Sequence, residues 1–138
     1  MMGIKLDYKR VVLLSVCLGL LSACSTISDI GLNDSEIVAK RSQARLDALI
    51  QGDVEKALSY TTPSFRQFTT PRIYRTRVAG TGRWKEAKVE SVVCEAESCD
   101  VKTTIKYLSP LHKMTNVTSL REKWIRVDGA WWLYQPVR

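Results

Sequence analysis

The order of elements along the chain predicts an α+β fold, with N-terminal helices packed on an antiparallel sheet. Three observations carry this. "SEIVAKRSQARLDALIQ", residues 35–51, is apolar at helical spacing and runs into Gly52-Asp53, a stop followed by a start. "KEAKVESVVC" and "CDVKTTIKYL" are β-prone, alternate in polarity and lie close together. Asp128-Gly129 joins two further strand-like stretches as a two-residue turn of the I′ type.

Each element has its own signal. Asn33 and Glu36 stand at N-cap and N3 spacing, a capping-box start for the first helix. Val38, Leu46 and Leu49, with Ala44 and Ala48, form its apolar side. Gly52 ends it and Asp53 caps a second short helix, "VEKALSY". Thr62-Pro63 opens a third turn, with proline at the first helical position. Residues 69–84 stay open: "RIYRTRVAGTGRW" reads as a short helix or as an irregular basic segment broken at Gly80 and Gly82. Two strands follow, with Glu95-Ala96-Glu97-Ser98 as the loop between them, and then "SPLHKMTN", a loop or a loop with a strand edge. "VTSLREKWIRV" and "AWWLYQPV" form the last hairpin, with Pro136 at an edge that tolerates it. The turn sets the register: Val127 opposes Ala130, Arg126 opposes Trp131, Ile125 opposes Trp132 and Trp124 opposes Leu133. Trp124, Trp131 and Leu133 then share one face, which is assigned to the core. Ile125, Val127, Trp132 and Tyr134 share the other. A face this apolar needs cover, so these four residues are a candidate interface for a second copy or an envelope protein.

The N-terminus carries an address. "MMGIKLDYKR" is basic, and the apolar run of 11 residues after it is too short to span a bilayer. That is the pattern of a secretory signal. The run ends in Leu21-Ser22-Ala23-Cys24, followed by Ser25-Thr26, and closely resembles the lipobox of bacterial lipoproteins. The resemblance implies a signal peptide over 1–23, lipid (diacylglycerol and often a further acyl chain such as palmitate) on Cys24, a tether over 24–33 and a folded domain over 34–138. Several chains on one residue satisfy the requirement for stable anchoring. Ser25 after the lipidated cysteine implies the outer membrane, with the domain facing the periplasm.

Cys17 leaves with such a signal, and Cys24 is taken by lipid. Cys94 and Cys99 remain, an even pair in an oxidising compartment. Their spacing is not C-x-x-C, and the single histidine, His112, supplies no metal set. The β-prone flanks favour a disulfide across the hairpin. No metal and no cofactor is expected.

From Cys24 onward 115 residues remain, one domain, with 18 basic and 13 acidic residues for a net charge of +5. Arg66, Arg72, Arg75, Arg77, Arg83, Lys85 and Lys88 concentrate the excess in a candidate basic patch. An exported domain rarely meets nucleic acid, so the polyanions that fit are anionic lipid and acidic glycan.

"ARLDALIQGDVEKALSYTTPSFR" and "EKWIRVDGAWWLY" resemble the NTF2-like (cystatin-like α+β) domains, and in particular small bacterial members with a close cysteine pair in their middle strands. The likeness covers about residues 34–136. It implies a curved sheet wrapped around the long helix, leaving a conical pocket. Members of this fold include isomerase, dehydratase and hydrolase enzymes as well as binding and assembly modules, so fold does not choose among them. The residues show no catalytic constellation: Asp53 and Asp128 serve caps and turns, Glu95 and Glu97 lie in a loop, and "GTG" at 80–82 lacks the context of a nucleotide site. The expected function is non-enzymatic binding or assembly at the envelope. The alternative is a binding protein for a small apolar or glycan ligand in the cone, and an enzyme ranks third.

Overall fold

The computed structural model describes residues 33–111 and 113–137. Helix α1 (Asp34–Gln51) leads into α2 (Val54–Ser59), α3 (Pro63–Phe68) and α4 (Pro71–Arg77), then a 3-10 turn (Ala79–Arg83). Strands β1 (Trp84–Glu95), β2 (Ser98–Leu108), β3 (Thr115–Val127) and β4 (Ala130–Leu133) follow in one sheet of order β1-β2-β3-β4, each neighbouring pair antiparallel. Helices first and an antiparallel sheet second is the expected α+β arrangement.

The caps explain where the helices start. Asn33 Oδ1 accepts from the Glu36 N–H at 3.0 Å while Glu36 Oε2 accepts from the Asn33 N–H at 2.9 Å, a closed capping box. Gly52 terminates α1 at φ +76°, a left-handed conformation glycine adopts without a Cβ penalty. Asp53, Thr62 and Thr70 cap α2, α3 and α4 through their side chains. The stretch left open is therefore a helix: Thr70-Pro71 repeats the device of Thr62-Pro63, and only the part containing Gly80 and Gly82 tightens into the 3-10 turn.

The last hairpin has the register its turn dictates, with Val127 opposite Ala130 through Trp124 opposite Leu133. Asp128 and Gly129 both take positive φ, as a I′ turn requires. Trp124, Trp131 and Leu133 are buried against Val38 of α1. Leu46 packs on Ala87 and Ile105 further along the sheet, while Leu49 joins Phe65 and Tyr74 among the helices. Two register shifts, at Trp84/Glu86 and Val89/Ser91, mark irregularities that bend β1.

The first hairpin is tighter than the sequence suggests. Glu95 pairs with Ser98, so the turn is Ala96-Glu97 rather than four residues. Ala96 takes φ +48°, a conformation usually given to glycine or asparagine, so its residue type hides the turn. β3 begins at Thr115, so the end of "SPLHKMTN" is the strand edge. Cys94 and Cys99 stand directly opposite each other and are disulfide-bonded.

Part of each lateral edge of the sheet is met by the chain itself. The Gln43 side chain donates from Nε2 to the Ala87 carbonyl at 2.9 Å and accepts at Oε1 from the Val89 N–H at 3.0 Å. On the other side, the Leu133 N–H donates to the Tyr60 carbonyl at 2.9 Å and the Thr62 N–H to the Leu133 carbonyl at 3.2 Å.

Replacing Cys94 and Cys99 together by serine is expected to lower stability by about 2 kcal/mol, because the loop closed is short. Urea unfolding followed by circular dichroism measures the loss and checks that the fold is kept. Two alkylatable thiols in the native exported protein would contradict the clasp.

Candidate functional site

Between α1, α4 and the sheet lies a cavity of about 350 Å³, within the range of small-molecule sites. Leu49, Val78, Trp84, Leu120 and Leu133 supply its apolar wall, and Arg45, Tyr74 and Glu122 its polar floor. The phase of each element places these groups. Val38, Ser42, Arg45 and Leu49 recur on one face of α1, so a serine and an arginine fall on the buried stripe. Along β3, side chains alternate, so Glu122 faces inward with Trp124.

Arg45 Nη1 and Glu122 Oε1 form an ion pair whose side chains are each only 5 % exposed. Arg45 also donates from Nε and Nη2 to the Tyr74 hydroxyl at 3.3 and 3.0 Å. The second carboxylate oxygen, Glu122 Oε2, accepts from Ser42 Oγ and from Trp124 Nε1, both at 3.3 Å. Burial, the largest single influence, disfavours the charged guanidinium, but Glu122 and Tyr74 together outweigh it and raise the Arg45 pKa above its ordinary value. A pKa raised on folding contributes stability that is present below the unfolded value and lost as pH rises through the folded one, so the Arg45 charge is lost only at strongly alkaline pH.

Of the residues singled out from the sequence, Cys24 and His112 lie outside the described residues. The candidate interface is partly covered by the chain itself. Trp132 is half-buried, with the Arg41 guanidinium 5.0 Å and the Arg66 guanidinium 4.7 Å from its ring centre. Ile125 and Val127 are half-buried and Tyr134 is exposed. The candidate basic patch is split among different tasks. Arg66 donates to the Ser59 and Thr61 carbonyls, and burial pushes its pKa down. Arg77 lies over the Phe65 ring and donates to the Pro136 carbonyl. Arg72, Arg75, Arg83, Lys85 and Lys88 are exposed. The sequence reading missed the Arg45–Glu122–Tyr74 cluster, although the inward placement of Trp124 already implied an inward Glu122.

Helices capping one face of an antiparallel sheet match several solved structures at low sequence identity. A putative NTF2-like transpeptidase from Campylobacter jejuni is 15 % identical with a TM-score of 0.54, over 70 % of this chain and 96 % of that one. An NTF2-like protein of unknown function from Shewanella oneidensis is 10 % identical with a TM-score of 0.52, over 71 % and 92 %. The fold is NTF2-like. A SEC-C-motif protein from Rhodopseudomonas palustris is also similar, at 14 % identity and a TM-score of 0.55, over 69 % of this chain and 73 % of that one. No protein-family model and no curated protein matches the chain. At such identities the likeness fixes the NTF2-like fold alone.

Removing one member of the NTF2-like cone's ion pair strands a buried charge. Arg45→Met and Glu122→Leu are each expected to cost about 3–5 kcal/mol, and the double variant to recover most of that loss. A double-mutant cycle by urea unfolding checks this; additive losses would mean that the two side chains act independently.

Proposed function

We propose that the chain is a lipid-anchored domain of the bacterial cell envelope that binds a small ligand in its cone and carries out no reaction on it. The observation that supports binding is the saturation of Glu122: Arg45 holds one carboxylate oxygen, and Ser42 and Trp124 hold the other. With both oxygens engaged, the carboxylate is held in one orientation, as suits a polar group that orders a ligand. The rest of the lining pairs apolar and aromatic surface (Leu49, Trp84, Leu120) with hydrogen-bonding groups (Tyr134, Gln135). That mixture suits a small ligand with one apolar and one hydroxylated face, such as a glycan fragment.

The anchor rests on the sequence. A basic start, a short apolar run and Leu21-Ser22-Ala23-Cys24 assign lipid to Cys24, and Ser25 assigns the outer membrane, with the domain in the periplasm. Metabolic labelling with a fatty acid should mark the wild-type protein and not Cys24→Ser. Label persisting in Cys24→Ser would refute the anchor.

Calorimetric titration of the full chain with N-acetylglucosamine oligosaccharides tests the cone. Saturable heat is expected for the wild type, and at least a tenfold weaker affinity for Val78→Trp, which narrows the cavity. Heats of dilution alone for the wild type would defeat the glycan reading.

A further inference from the structure

Half of strand β3 has a neighbour on one side only. β2 pairs with β3 from Thr115 to Ile125, but β4 pairs only with its last part, from Trp124 to Val127. One further bond, Tyr134 N–H to the Lys123 carbonyl at 2.8 Å, extends that second ladder. The second ladder stops short of Pro136. Proline has no N–H to donate, and its carbonyl is turned away to accept from Arg77 at 3.3 Å. Among the described residues nothing pairs with the open side of Thr115–Arg121, and all of these residues except Asn116 are exposed.

The direction of the free groups follows from bonds already made. Lys123 bonds toward β4, whereas the Arg126 N–H bonds to the Glu97 carbonyl on the β2 side. Bonding direction alternates along an antiparallel strand. Thr115, Val117, Ser119 and Arg121 therefore aim their N–H and C=O groups at the open edge. Native edges are usually guarded by charges, prolines or cover. This one carries a single charge, Arg121, and exposes Val117 (62 %) and Leu120 (36 %).

We propose that Thr115–Arg121 pairs antiparallel with the same segment of a second copy, across a two-fold axis at Thr118. In this register Thr115 opposes Arg121 and Val117 opposes Ser119, so all four outward-bonding residues of each copy find partners. The only charged residue of the segment falls beside threonine and not beside its own kind. The two Val117 side chains meet diagonally on one face, and Leu120 meets Asn116 on the other. A second copy also brings an open edge that needs the same cover, which an unrelated partner would not. The two four-stranded sheets become one of eight strands, and because Leu120 lines the cone, the two cavities come to flank a shared wall. The contact is a strand edge, separate from the face carrying Ile125, Val127, Trp132 and Tyr134.

Thr118 opposes itself in a non-hydrogen-bonded pair, where Cα atoms stand about 4.5 Å apart, a separation a disulfide spans. The full chain in detergent micelles, carrying Thr118→Cys and mildly oxidised, should run at twice the chain mass without reductant. Wild type and Ser119→Cys should not. Ser119→Pro removes an edge N–H that β2 does not use, and should convert a dimer in sedimentation to a monomer at an unchanged melting temperature. A Thr118→Cys protein that stays at single mass overturns the proposal. So does a link to a species of any other mass, which would make the occupant a strand of another protein. A Ser119→Pro dimer would overturn it as well. If Ser119→Pro melts early, the Thr118→Cys link decides alone.

Discussion

The Arg45–Glu122 ion pair sets how the long helix sits on the sheet. Desolvating a guanidinium and a carboxylate costs several kcal/mol per ion, and the loss is offset only when geometry and hydrogen bonding are complete. Here both ions are well partnered: the Tyr74 hydroxyl accepts from Arg45 Nε and Nη2, and the second Glu122 oxygen accepts from Ser42 and Trp124. Rotating α1 by one residue, about 100°, would strand both charges in the interior, whereas a sliding contact between leucines would tolerate it. The pair thus fixes the rotational phase of α1, and with it the placement of Leu46 and Leu49 on two separate parts of the core. It also draws α4 into the same arrangement, because Tyr74 reaches Arg45 from that helix and packs edge-on against Phe65 of α3, with ring centres 6.2 Å apart.

The last hairpin and the helix caps were legible because their signals are local. Asp128-Gly129 permits one turn type, and that turn fixes a register, a pair of faces and the burial of Trp124, Trp131 and Leu133 in one step. Asn33 with Glu36, Gly52 with Asp53, and Thr62 with Pro63 each satisfy backbone groups within a few residues. The polar floor of the cone was not legible in the same way. Arg45 and Glu122 are 77 positions apart, and each stands among other charged residues. Their burial shows only when the helix stripe and the strand alternation are read together. The Ala96-Glu97 turn was hidden for a different reason: the ladder and the disulfide hold Ala96 in a conformation its side chain disfavours.

Basic residues serve here largely as cover for aromatic rings. Arg41 lies over Tyr60 and Trp132, Arg66 over Trp132, Arg77 over Phe65 and Arg126 over Trp131. A guanidinium can lie flat on a ring while its N–H groups still reach carbonyls or carboxylates, as Arg66 does at Ser59 and Arg126 does at Asp34. Part of the positive excess is therefore structural. It shields the second face of the last hairpin, which a chain with fewer arginines would have to cover with another element.

The contact between Gln43 and β1 bears on the geometry of growth. A sheet that can recruit strands on two sides extends without limit, and each added unit offers a fresh end. A single amide occupies the Ala87 carbonyl and the Val89 N–H from within the same chain, while its second N–H goes to Asp47. Glu86, Lys88 and Glu90 stand beside them, and the strand is kinked on either side. Part of this edge is thus already occupied from within the chain, which disfavours strand-by-strand growth from β1.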